Sequence, residues 1–280
     1  MAWAFVAAER DVTIRDLLTH TSGYTYGDDC PAALAPAWRR VDPFAAQDLD
    51  AFVARAAKLP LAHQPGTAFH YGISTDLLGG LIERVSGQSL DAFFDERISR
   101  PLGLSDTGFW VPEEKRDRLA LIHQRGPGAR LALETMFNRR WPTATRGWRS
   151  GGSGLFSTAA DYVRFAQMLL EGGQLGGVRI LGRKSVELMT QNHLSALADP
   201  HPMGNRWEGF GLGVRITNDL GQSPTLGSLG AFGWNGMATT SVQIDPRERL
   251  VAMALYQHLP YNEGNVFGLF TNGAYAALER

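Results

Sequence analysis

The sequence predicts an α+β fold in which a largely helical stretch precedes an antiparallel sheet. Between about residues 13 and 205, apolar residues recur at helical spacing in several segments. From about 206 onward the period shortens to strand-like alternation, and the tetrapeptide DPRE at 245–248 joins two such runs as a hairpin. The last stretch, 265–279, is helical again. Helices grouped ahead of strands, with one closing helix, are the pattern of helices packed on an antiparallel sheet. We read residues 1–280 as one domain, mainly helical over about 13–205 and strand-rich with a C-terminal helix over about 206–280.

Each element has a local reason. Thr13 followed three residues later by Asp16 resembles a capping box and opens a short helix over 13–22, with Gly23 as its stop. Residues 48–58 form a second amphipathic helix ending at Pro60. In STDLLGGLIERVSGQ, Ser74 is a cap, Leu77, Leu78, Leu81, Ile82 and Val85 make the apolar face, and Gly87 ends the helix. Ser89 opens the next, with Leu90, Phe93, Phe94 and Ile98 inward, up to Pro101. Thr158 and Asp161 start a helix over 158–171, and another covers 183–191. FGLGVRI at 210–216, then 237–244 and 249–257, read as three strands, and Val266, Phe270, Ala274 and Leu278 share one face of the last helix. Three strands under one helix leave the sheet poorly covered, so further strands or a helix are expected ahead of residue 1.

Composition excludes several classes. The 280 residues are 44% hydrophobic and 20% charged, ordinary for a globular protein, and the net charge of -1 gives no general attraction to nucleic acid or an anionic membrane. A single cysteine, Cys30, rules out an internal disulfide framework. No apolar run is long enough for a transmembrane segment, and the start MAWAFVAAERDVTIRD lacks a signal peptide's basic region. Read from residue 1, the chain is cytoplasmic. The seven histidines are scattered without metal-ligand spacing, and Asp28–Asp29 read as a solvated turn. No P-loop or G-x-G-x-x-G occurs, so no metal or other cofactor is expected.

Nucleophile motifs are also missing. No serine sits in G-x-S-x-G, the strand-to-helix elbow of α/β-hydrolases. A Ser–Lys pair needs S-x-x-K, because one helical turn brings the amine beside the hydroxyl. The chain has only three lysines, and three residues before Lys58, Lys115 and Lys184 stand Arg55, Pro112 and Leu181.

The segments VTIRDLLTHTSGYTYG, GTAFHYGISTDLLGGLIERVSGQSLDAFFDERISRPLGLSDTGF, SGGSGLFSTAADYVRFAQMLLEGG and GSLGAFGWNGMATTSVQIDPRERLVAMALYQH together resemble a serine β-lactamase-like hydrolase. They are most similar to family VIII carboxylesterases, related to class C β-lactamases and penicillin-binding-protein-like D-Ala-D-Ala carboxypeptidases. The resemblance implies a β-lactamase/transpeptidase-like fold with a helical subdomain, and an acyl-enzyme formed on a serine. It implies an S-x-x-K motif upstream of the segment that here begins at residue 13, so the N-terminal part carrying it is missing. Export is left open, since a leader would lie there too.

Within the resemblance, Tyr71 matches the proton-transfer tyrosine, with Ile73 where lactamases keep Asn. Trp234-Asn235-Gly236 match the W-x-G that stands for K-T-G on the strand edging the site. The amide of Met237 is then half of an oxyanion hole, and Asn235 takes a place where many relatives have Gly. Ser150 and Ser153 have no base nearby in sequence and read as structural, and His20 reads as a hydrogen-bonding residue of the scaffold. The substrate implied is a small ester or amide. With the Ser–Lys pair absent, the chain alone is expected to be inactive, and its uncovered surface to favour self-association. A ligand-binding homologue without catalysis, and β-lactamase, peptidase or acyltransferase chemistry, are the alternatives.

Overall fold

The computed structural model describes residues 5–126, 128, 130–135 and 148–279. The chain begins with α1 (Ile14–Leu18), α2 (Ala35–Val41), α3 (Leu49–Ala56) and α4 (Ser74–Ser86). It continues through α5 (Leu90–Phe94), a π-turn over Asp95–Ser99 and α6 (Arg100–Leu102). Strands β1 (His123–Arg125) and β2 (Leu131–Leu133) follow, then α7 (Ala159–Leu170), the small hairpin β3 (Gln174–Leu175) and β4 (Val178–Arg179), and α8 (Arg183–Met189). The C-terminal part is β5 (Glu208–Phe210), β6 (Arg215–Thr217), β7 (Phe232–Gly236), β8 (Thr240–Asp245), β9 (Leu250–Leu255), β10 (His258–Leu259) and α9 (Val266–Ala276).

Strands β5 to β9 form a five-stranded antiparallel meander in chain order. The sequence suggested three strands, and two were misread. FGLGVRI is not one strand: Gly213 at φ +81° turns the chain, so Phe210 pairs with Arg215 across a hairpin. The run 237–244 begins as a turn, because Thr239 takes φ +66° and its N–H bonds Gly236 O at 3.0 Å. The ladder starts at Thr240, opposite Gly236. The DPRE hairpin holds, with Asp245 opposite Leu250. A separate three-stranded sheet sets β1 between β2 and β10, with β10 running parallel.

The helices differ from expectation at their ends. Thr13 and Asp16 make the capping box, but α1 stops at Leu18 because His20 adopts φ +53°. Helix α4 takes Ile73, not Ser74, as its N-cap, and Gly87 at φ +70° closes it. Val85 lies on its solvent side, 79% exposed. The run from Ser89 continues past Pro101 to Leu102, since the π-turn changes the helical phase and Gly103 ends it at φ +67°. Thr158 caps α7 by accepting from Asp161 N.

Two cores result. One gathers Trp38, Leu49, Phe52, Ile73 and Leu90 among the helices. The other packs Leu102, Met168, Ile216, Phe232, Val242 and Ile244 between α7 and one face of the sheet. A side chain such as Phe52, fully removed from water, contributes roughly 1.5–3 kcal/mol. Tyr71 leaves the helical part and Trp234 the sheet, and the site forms where they meet.

Candidate active site

The site is built on a left-handed turn. The φ of +53° at His20 points its ring inward, where it is 1% exposed. The ring lies 4.7 Å from Tyr71, 5.5 Å from Phe210 and 5.9 Å from Phe69, centroid to centroid. Its Nδ1 accepts the Gly72 N–H at 3.4 Å, so the neutral ring carries its proton on Nε2. Burial and the neighbouring His70 hold its pKa down at about 4. The His20 carbonyl in turn accepts from His70 N at 2.8 Å. These bonds tie 69–72 to 20–25 and aim Tyr71.

Gly72 is dictated by that packing. A Cβ there would lie 2.4 Å from Tyr24 O and 2.6 Å from Thr25 Cα. One residue further, Ile73 is fully buried, and Ser74 Oγ meets Ser22 Oγ at 2.8 Å with both residues sealed from water. Ser74 is therefore a buried clasp between α4 and the 20–25 turn, and it is out of reach of any substrate.

Tyr71 is half-buried between Tyr26, centroids 5.7 Å apart, and Trp234 at 5.3 Å. Trp234 also meets Phe210 edge-on at 5.3 Å, which closes an aromatic cluster of favourable geometry. Burial pushes the Tyr71 phenol above its ordinary pKa, with Asp76 adding to the rise and polar contacts from Trp234 and Tyr26 opposing it. None of the groups acting on it is a cation. In this state the phenol keeps its proton at neutral pH, and becoming a base would take a positive charge placed beside it. Burial, Asp76 and Tyr71 push Tyr26 further up still.

The three strand-edge residues behave differently. Trp234 and Gly236 share one face of β7, while Asn235 lies on the other, opposite Ser241. The amide of Asn235 satisfies its surroundings when Nδ2 donates to Trp234 O at 3.0 Å and Ser241 Oγ at 2.8 Å. Its Oδ1 then accepts from Tyr261 OH at 3.0 Å and Arg215 Nη1 at 3.1 Å. Arg215 is itself paired with the buried Glu208 at 3.2 Å. Burial raises the Glu208 pKa, and Arg215 and Asn205 counter that. Asn235 thus anchors the strand edge from behind through a chain of polar contacts. A Cβ on Gly236 would fall 2.1 Å from Thr240 Oγ1, so a side chain there would have to turn that hydroxyl aside. Met237 opens the β7–β8 turn, its side chain half-exposed, and no hydrogen bond engages its N–H among the described residues.

Ser150 and Ser153 belong to a loop held by a buried carboxylate. Ser150 Oγ donates to Asp76 Oδ1, Gly152 N donates to the same oxygen at 3.2 Å, and Ser153 N donates to Ser150 Oγ at 2.9 Å. Asp76 is 1% exposed, and burial raises its pKa against those donors. Among the described residues, the hydrogen-bond partners of Ser150 Oγ are the Asp76 carboxylate, Ser153 and the Gly152 amide, with no imidazole or amine.

Tyr26, Tyr261, Arg215 and Asp76 were not legible as site residues. Tyr26 stands within the stretch THTSGYTYG, but only folding through His20 brings it to Tyr71. Tyr261, in the turn after β10, and Arg215, on β6, reach Asn235 from separate segments, and no spacing in the sequence links them.

The profile of the Beta-lactamase family matches residues 3–271. The chain belongs to the Beta-lactamase family. An uncharacterized protein of Mycobacterium tuberculosis in this family is 38% identical over 264 residues, covering 90% of this chain and 64% of that protein. The lovastatin esterase of Penicillium rubens is 30% identical over 268 residues, covering 89% and 64%. The chain therefore spans under two thirds of the length of these relatives. Among solved structures, EstCE1, a hydrolase with promiscuous acyltransferase activity, superposes with a TM-score of 0.79 at 25% identity, over 94% of this chain and 71% of that one. The fold is the β-lactamase/transpeptidase type, and the family is a serine hydrolase superfamily with esterase, acyltransferase and peptidase-type members. No helix among the described residues is long and apolar enough to cross a membrane.

Proposed function

We propose that this domain carries the tyrosine and strand-edge half of a carboxylesterase that works through an acyl-serine. The contact of Tyr71 with Trp234 supports the reading above all. It joins the proton-transfer residue to the strand whose next amide, that of Met237, receives the developing oxyanion. The attacking serine and its lysine come from an S-x-x-K helix that the 280 residues lack. Docked beside Tyr71, the lysine ammonium offsets the burial that now holds the phenol neutral, and lets Tyr71 and the amine share the serine proton. The substrate is a small ester, with amide as the harder case.

The pure chain is expected neither to hydrolyse p-nitrophenyl acetate nor to label with a fluorophosphonate. A version extended by a relative's S-x-x-K segment is expected to do both. Stoichiometric serine labelling of the unextended chain would overturn the reading and require another nucleophile. The absence of any S-x-x-K favours one second reading, a ligand-binding homologue without catalysis. An extended version that folds, binds ester analogues and still does not label would support it.

A further inference from the structure

Beside the candidate site lies a cleft of about 780 Å³ whose walls share Tyr26 with it. Its floor is aromatic: Tyr26 and Phe44 stand nearly parallel, 19° apart with centroids at 6.4 Å, and Trp38 lines the same space. Phe44 is 45% exposed although Phe52 and Trp148 pack on it, so the helical core leaves one of its faces open. Trp38 is locked in place, its Nε1 donating to Thr25 Oγ1 at 3.2 Å. The rim carries Asp28, Asp42 and Arg39, and none of the three is in an ion pair among the described residues. The lining itself carries two carboxylates against one guanidinium above an electron-rich floor, while Arg55 Nη1 donates to the Asp42 backbone carbonyl at 3.3 Å.

We propose that this cleft binds the part of the substrate remote from the reacting bond, and that this part is a ring-bearing group carrying an amine. A ring buries its apolar area against Phe44 and Tyr26, while an ammonium finds the aromatic faces and the two carboxylates together. Position supports a subsite: the Tyr26 ring that lines the cleft meets Tyr71 at 5.7 Å, so the cleft adjoins the candidate site across that ring. The identity of the occupant as substrate rests on the esterase reading, whereas the binding preference does not.

The test is calorimetric titration of the whole chain with three probes of one size: 3-phenylpropylammonium, 3-phenylpropan-1-ol and 3-phenylpropionate. The ammonium is expected to bind about 3- to 10-fold tighter than the alcohol, with the carboxylate weakest and the preference shrinking in high salt. Phe44→Ala is expected to weaken all three probes. The double variant Asp28→Asn/Asp42→Asn is expected to erase the preference for the ammonium while leaving alcohol binding as it was. Circular dichroism identifies any variant that fails to fold, and the salt and probe series on the unmodified chain decides the matter in that event. Carboxylate binding as tight as ammonium, or no saturable ammonium binding, would overturn the proposal. If the probe order holds while the S-x-x-K-extended chain stays unreactive, the esterase reading fails and the cleft stands.

Discussion

Tyr71 and Trp234, 163 positions apart in the chain, hold their rings 5.3 Å apart at 42°. This contact bridges the helical part and the sheet, so it serves both stability and the candidate chemistry. Trp234→Ala removes a large half-buried ring from a cluster that includes Tyr71 and Phe210. It is expected to cost about 2–4 kcal/mol in urea unfolding, with Trp234→Phe recovering more than half of that loss.

Tyr71→Phe keeps the ring and deletes the hydroxyl. Stability is expected to change by less than about 1 kcal/mol. In a chain extended to include S-x-x-K, kcat/KM for p-nitrophenyl acetate is expected to fall by roughly 10²–10⁴. Steady-state kinetics on the two proteins measure the difference.

Gly72→Ala forces a Cβ against the backbone of Tyr24 and Thr25. Because those atoms are main chain, relief requires moving the whole 20–25 turn. A loss of roughly 1–3 kcal/mol in chemical denaturation is expected, together with altered near-ultraviolet dichroism from the displaced Tyr71. Unchanged stability would show that the two segments are not in close contact.

His20 makes stability depend on pH. Its pKa is about 4 in the fold and near 6.5 in an unfolded chain. Between those values the unfolded state binds the extra proton. Stability is therefore complete above about pH 6.5 and declines as the pH falls toward 4, by up to about 3 kcal/mol. Denaturation midpoints across this range are expected to slope downward on acidification, and His20→Asn is expected to flatten the slope.

Asp16 acts in a lower window. Burial opposes its ionisation, but Arg10 at 2.6 Å and the Thr13 hydroxyl and amide outweigh it and hold the pKa at about 2. A carboxylate pKa depressed by folding gives stability that is present above about pH 4 and lost as the pH drops through 2, at most about 2 kcal/mol. Arg10→Gln is expected to raise the midpoint of acid unfolding, read by far-ultraviolet dichroism.

Sequence and structure agree most where the cause is local. The capping box at Thr13, the cap at Thr158, the stop at Gly87 and the DPRE hairpin depend on residues within a few positions of one another, and each stands as read. The readings that failed were those that needed a backbone angle or a distant partner. Ser74 looked like a cap, but Ser22, 52 residues away, claims its hydroxyl. FGLGVRI alternates like a strand, yet Gly213 turns left-handed and the run becomes a hairpin.

The site divides along the same line. The order of the segments was readable from the chain, Tyr71 and the Trp234-Asn235-Gly236 triplet could be proposed from it, and the lack of S-x-x-K was plain, since three lysines can be checked one by one. Which groups surround Tyr71 was decided only by tertiary structure. The left-handed turn at His20 brings Tyr26 to its side, the meander brings Trp234, and Arg215 and Tyr261 converge behind Asn235 from a strand and a turn that no spacing relates. Local sequence sets caps and periods because those act over one helical turn. The neighbours of a phenol, and hence its pKa, depend on packing between segments that the chain keeps apart, here Tyr26 and Trp234 on either side of Tyr71.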